Sequence, residues 1–123
     1  MAAIKAVVTD VSEMGDGATL RVVWTPVTEA DECVPVRLPW LADRTIQALG
    51  TFGSCNVAVH GSNDGGVTYA ALNDPTGTVI DITAAGIKQV LENTEWTKPV
   101  VTTGSSQSIS IAMLFHASNP KRT

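Results

Sequence analysis

Residues 57–72 read Val57-Ala-Val-His-Gly-Ser-Asn-Asp-Gly-Gly-Val-Thr-Tyr-Ala-Ala-Leu72, and the fold is decided here. Val57 and Val59 alternate with Ala58 and His60; Val67, Tyr69 and Ala71 alternate with Thr68, Ala70 and Leu72. A period of two is the mark of a strand with one face buried. Between the runs lies Gly61-Ser-Asn-Asp-Gly-Gly66, a cluster of residues that accept positive φ or hydrogen-bond their own backbone. Two alternating runs joined by such a cluster predict a β-hairpin with a connection longer than the two-residue minimum.

The same reading extends outward. Ile4, Ala6 and Val8 alternate in a first strand that stops before Met14-Gly-Asp-Gly17, and Leu20, Val22 and Trp24 share one face of a second, so the two form an N-terminal hairpin. Pro26 is expected to end that second strand or hold it at an edge, because proline donates nothing to a ladder. Residues 28–32, Thr28-Glu-Ala-Asp-Glu32, form an acidic loop. Val34, Val36 and Leu38, interrupted by Pro35 and Pro39, predict a short edge strand, with Trp40-Leu41 folding back on the core. Arg44 to Leu49 is a further short strand, and Asn73-Asp-Pro-Thr-Gly77 a second strong turn before a strand over 78–82. In residues 83–92, Ile87, Val90 and Leu91 have helical spacing and Thr83 a capping side chain, which predicts at most a turn or two of helix. Trp96 to Thr103 alternates, and Ile109, Ile111, Met113 and Phe115 make the last strand unambiguous. The total is eight or nine strands with a turn signal every ten residues or so. That pattern predicts an all-β antiparallel sandwich or jelly roll, one domain over residues 1–116 with a polar tail over 117–123.

A chain of 123 residues can bury roughly two-thirds of its unfolded surface without help from disulfides or metals. Charged residues are 16% of it, below the roughly 25% of an average domain, as expected if other subunits cover part of the surface or if Thr and Ser simply take the place of charge. The net charge of −4, with basic residues scattered apart from Lys121-Arg122, argues against a nucleic-acid partner. No apolar run approaches the ~20 residues of a membrane-spanning helix, and the N-terminus reads as a strand instead of a signal peptide. Made in a reducing cytosol, Cys33 and Cys55 are expected to stay thiols, with Cys55 a small buried hydrophobe.

Catalytic patterns are lacking. His60 and His116 oppose the apolar stripe of their strands, no His or Cys pair has a metal-ligand spacing, and Cys33 has no histidine nearby in sequence to activate it. Asn63, Asp64 and Asp74 carry oxygens of the kind calcium takes, but their turns already require them and the alternating ligand pattern of a calcium loop is missing. The expectation is a protein that is not an enzyme and holds no cofactor or metal. Among the aromatics, Trp24 and Tyr69 share parity with core residues, whereas Trp40 and Trp96 stand beside breaks in the pattern, where an exposed ring suits a sugar or a protein interface.

The run from Val59 through Leu72, followed by Asn73-Asp-Pro-Thr-Gly77, then Thr83-Ala-Ala-Gly-Ile-Lys88, Trp96-Thr-Lys-Pro-Val-Val-Thr102 and a terminal apolar strand, resembles the capsid decoration, or cement, proteins of tailed bacteriophages. The resemblance spans residues 44–116. The Gly-Ser-Asn-Asp-Gly hairpin is also similar to that of galactose-binding-like jelly rolls, including carbohydrate-binding modules. The resemblance implies a non-enzymatic virion protein, made in the host bacterial cytoplasm and placed on the capsid surface, which as a homodimer or homotrimer bridges neighbouring major capsid protein subunits. It implies no contact with nucleic acid or membrane and carries over no binding residues. By position alone the candidate contacts are the N-terminal strand, Glu29, Asp31 and Glu32 in the acidic loop, and Lys121 and Arg122 in the tail, joined by the rings of Trp40 and Trp96. A sugar- or receptor-binding module and a tail or head–tail connector component are the alternatives.

Overall fold

A computed structural model describes residues 3–13, 15–105 and 107–117, and none of these is helical. The strands are β1 (Ala3–Ile4), β2 (Val7–Asp10), β3 (Thr19–Val27), β4 (Glu32–Cys33), β5 (Val36–Arg37), β6 (Asp43–Thr51), β7 (Asn56–Ser62), β8 (Ala70–Ala71), β9 (Gly86–Val90), β10 (Trp96–Thr102) and β11 (Ser108–His116). A five-stranded sheet runs β2-β3-β11-β6-β9 and a four-stranded sheet β5-β10-β7-β8, with β1 and β4 paired apart from both. The inward side chains of the two sheets share one core cluster, from Val22, Trp24, Ile46, Ile111, Met113 and Phe115 on one side to Val57, Val59 and Val101 on the other. This is a β-sandwich.

The pairing is nested. β7 pairs with β8, β6 with β9, β5 with β10 and β3 with β11, all antiparallel. The chain is one long hairpin rolled across two sheets, the winding of a jelly roll. Its tip is the connection between β7 and β8, so the 57–72 stretch is the centre of the whole topology.

Several expectations are corrected. The right arm of that hairpin pairs with β7 only at Ala70 and Ala71, with one more bond from the Leu72 amide to Val59 O at 2.8 Å; Val67 is 81% exposed, and Leu72 faces the core in place of Tyr69 and Ala71. The reason is local. Asp64 Oδ1 accepts from the Val67 and Thr68 amides at 3.1 and 2.9 Å, and Ser62 Oγ from the Gly66 amide at 3.1 Å, so these amides serve the loop and pairing starts later. The N-terminal strand divides, with β1 leaving to pair in parallel with β4 while β2 forms the expected hairpin with β3. β3 does not end at Pro26 but continues through it, after a cis Thr25–Pro26 peptide, with β2 beside it only as far as Val23, so Pro26 lies on a locally open side. Pro26 lies beyond the residues that β2 pairs and where the register with β11 shifts, so no ladder acceptor misses its amide. Residues 83–92 hold strand β9 and no helix: Val90 is buried, while Ile87 and Leu91 are exposed. The 78–82 strand is reduced to isolated bridges at Val79 and Ile82. Eleven strands replace the expected eight or nine because these divisions leave several two-residue pieces.

The place of Pro99 follows from parity. Val57 and Val59 direct their backbone groups to Ile82 and Leu72, so Val101 and Pro99 opposite them face away from β7, toward the side where β5 lies. β5 pairs with β10 only at Trp96 and Thr97. Continuing that register would set Pro35 against Lys98 and Val34 against Pro99, and neither proline can donate. The chain instead turns to β1, with the Val34 amide donating to Ile4 O at 2.9 Å, and a cleft opens between β4 and β10.

Candidate binding face

On β10, Thr97, Pro99 and Val101 point into the core, so Trp96, Lys98, Val100 and Thr102 form the outward row. Lys98 is the centre of that row. Its ammonium sits 4.4 Å from the centroid of the Tyr69 ring, which the loop after β7 carries across the sheet, and 3.3 Å from Glu32 Oε1. A cation over an aromatic face and beside a carboxylate is attracted by both. His60, opposite Lys98 on β7, is held below the ordinary histidine range by burial and by that ammonium. Tyr69 is pushed up by burial, with the charges of Asp64 and Glu32 adding to it.

The cleft between β4 and β10 has a volume of about 300 Å3 and is lined by Glu29, Asp31, Glu32, Cys33 and residues 98–102. The structure therefore brings the three predicted acids together beside Lys98. Their duties differ. Asp31 closes the turn by accepting from the Thr28 amide at 2.9 Å and the Thr28 hydroxyl at 3.1 Å, Glu32 pairs with Lys98, and the Glu29 amide reaches Gln107 Oε1 at 3.5 Å. Cys33 borders the cleft, but burial and the charge of Asp31 push its thiol up to about 12, which leaves it protonated and unreactive at neutral pH.

Trp96 is partly covered. A Cβ built on Gly66 would stand 3.5 Å from Trp96 Cδ1 and 3.3 Å from Tyr69 Oη, so the loop crosses the indole closely at this glycine, whose φ is +84°. Glu95 fastens the same end: its amide donates to Asn63 Oδ1 at 2.9 Å, its carboxylate accepts from the Gly65 amide at 3.2 Å, and Arg37 Nε lies 3.0 Å away. Trp40 does not fold back on the core with Leu41; it is 61% exposed in the loop between β5 and β6. Lys121 and Arg122 lie outside the described residues.

The residue that positions this end is one the sequence reading passed over. Arg44 is 2% exposed and faces no carboxylate in its hydrogen bonds. It donates to Leu41 O at 3.0 Å, Leu38 O at 2.9 Å, Thr94 O at 3.1 Å and Thr97 Oγ1 at 2.8 Å, and its guanidinium stands 5.0 Å from the Phe115 ring centroid. It thereby ties the loop carrying Trp40 to the segment preceding Trp96. The signal was present: Arg44 shares parity with Ile46 and Ala48, and a charge on a core-facing stripe needs partners.

The loop oxygens weighed for calcium serve their own turns: Asp64 Oδ1 and Asp74 Oδ1 accept from neighbouring amides and hydroxyls, and Asn63 Oδ1 accepts from the Glu95 amide. Among the described residues there is no group of three or more His, Cys, Asp or Glu side chains placed to hold a metal ion. The chain matches no family model, no curated protein and no solved structure.

Proposed function

We propose that this chain is a non-enzymatic virion structural protein of the capsid decoration type, which binds the outside of an assembled phage head and cements neighbouring major capsid subunits, acting as a homodimer or homotrimer. The observation that supports this most is the outward face of the four-stranded sheet. Four of the candidate contacts, Glu29, Asp31, Glu32 and Trp96, border one strip organised by Lys98 and held by hydrogen bonds. Such a pre-ordered polar strip suits recognition, because little side-chain entropy remains to be lost on docking. A protein that binds only the assembled shell stabilises it by mass action, and repetition over many sites multiplies a modest energy per site. The test is addition of the purified chain to mature heads lacking it. Saturable binding at micromolar concentration and release of DNA at a higher temperature are expected, and Lys98→Glu should weaken both. Heads that neither bind the chain nor gain heat resistance would refute the reading.

Trp40 favours a second reading, since an exposed indole on a small β-sandwich also suits a sugar or receptor. That reading requires a Trp fluorescence change with a glycan that Trp40→Ala abolishes. Copy number separates decoration from a connector or tail part: hundreds per particle against a dozen or fewer.

A further inference from the structure

The opposite face of the sandwich differs in chemistry. Val7, Val23, Ala112, Gln47 and Ile87 stand in register across all five strands of the larger sheet. Their neighbours Met113, Ile46 and Val22 are buried, so this row points outward. Val7 and Ile87 at its two ends are 62% and 63% exposed, and Leu114, one row away on the central strand β11, is 40% exposed. Beside Leu114 lies a shallow hollow of about 230 Å3 that reaches Thr45, Gln47 and Ile87. Arg21, paired with Leu114 in the ladder, brings the one formal charge of these two rows. The other sheet carries Arg37, Glu95, Lys98 and Glu32 on or beside its outer face. The two rows through Ala112 and Leu114 are thus poor in charge, with Asp43 and His116 bordering Leu114 on its other side.

We propose that the outer face of the five-stranded sheet is the homodimer interface, and that its occupant is a second copy of this chain related by a two-fold axis running along β11. Three observations select a second copy. The first is area. Three nine-residue strands flanked by edge strands of four and five residues, at ~4.8 Å spacing and ~3.3 Å per residue, give a face of ~570 Å2 per copy, or ~1,100 Å2 for two, just above the ~1,000 Å2 that a specific interface needs. The second is charge. Two copies of net charge −4 repel one another, and this sparsely charged face lets them meet with the least penalty. The third is self-complementarity. An axis along β11 sets Leu114 against its own copy and Val7 at one edge against Ile87 at the other. It also sets Arg21 of each copy over Thr45 and Gln47 on the β6 of the other, whose side-chain oxygens accept from it, so the two arginines do not face each other. Sheets packed this way stack about 10 Å apart, as in a sandwich. This assignment needs no shell, because it concerns the free chain; failure of shell binding and failure of the dimer are read in separate experiments.

The test is sedimentation of the full 123-residue chain between 1 and 100 µM, beside single-cysteine cross-linking. The wild type is expected to sediment as a dimer. Leu114→Asp, which sets two carboxylates on the axis, should raise the dissociation constant at least 100-fold, and Ile87→Ser at least fivefold. Leu114→Cys should give a disulfide-linked dimer on mild oxidation, while Ala58→Cys on the other sheet should not; the buried native thiols do not compete. Ile87→Ser and Leu114→Cys decide the matter should Leu114→Asp fail to fold. A monomer at 100 µM, a trimer, or a dimer indifferent to Ile87→Ser and uncross-linked through Leu114→Cys would overturn the proposal.

Discussion

Replacing Arg44 tests the claim that one buried guanidinium organises the Trp40 end of the molecule. Burial brings its pKa from 12.5 down to about 10, so the site disfavours the charged form by roughly 3 kcal/mol relative to water. Against that stand its four hydrogen bonds. Bonds to a charged donor contribute ~1.5 kcal/mol each at the low end of their range, about 6 kcal/mol together. Arg44→Met removes both, for a net loss of about 3 kcal/mol, and Arg44→Ala adds a cavity and reaches about 4–5 kcal/mol. With an unfolding entropy near 2.1 cal/mol/K per residue, 3 kcal/mol lowers the melting temperature of this chain by about 12 °C. The assays are thermal and urea unfolding, with chymotryptic cleavage after Trp40 as a local readout. Because the guanidinium holds the carbonyls of Leu38 and Leu41, cleavage in Arg44→Met should accelerate by more than the global destabilisation accounts for. An Arg44→Met protein that melts within 2 °C of wild type and resists chymotrypsin equally would refute the reasoning, since the bonds would then offset no more than their own desolvation.

Three further outcomes are expected. Gly61→Ala places a Cβ against Thr94 Oγ1 and 2.7 Å from its Cγ2, so it should cost ~1–3 kcal/mol, and Thr94→Ala in the same chain should recover part of that; strictly additive losses in urea unfolding would contradict the clash. Asp64 is held at about 2 by the Thr68 amide and the Ser62 hydroxyl, below its ordinary 3.8. Its depressed folded value gives stability that is complete above about pH 4 and lost as pH falls toward 2, so Asp64→Asn should flatten the urea midpoint over that window, and an unchanged acid slope would disprove the assignment. Cys33 and Cys55 should be silent toward a thiol reagent in native buffer and react at the rate of unfolding in urea; prompt labelling of either would contradict their burial.

Much of this fold is legible in the sequence. Strands β3, β10 and β11 follow from strict alternation, because the period of a pleated backbone is a property of neighbours two residues apart. The turns at 61–66 and 73–77 follow from residues that bond their own backbone. The acidic loop is legible from its run of carboxylates, and its residues are candidates by position, but that Glu32 meets Lys98 is not legible. That pair is 66 residues apart, and Tyr69 joins it only because the loop after β7 lies across the sheet.

By itself the sequence determined where the chain is extended, where it turns, and which side chains of each strand share a face. Apart from the hairpins β2–β3 and β7–β8, the tertiary structure alone decided which strands meet. The Ile87, Val90 and Leu91 spacing fits a helix locally, yet β6 offers an edge that the backbone of residues 86–90 satisfies, so a strand forms. Pro35 and Pro99 are harmless apart and open a cleft only because β5 lies beside β10. The four acceptors of Arg44 come from residues 38, 41, 94 and 97, and no pattern within one strand brings them together. Periodicity is short-ranged, whereas a buried cation is satisfied by whatever the rolled hairpin places around it.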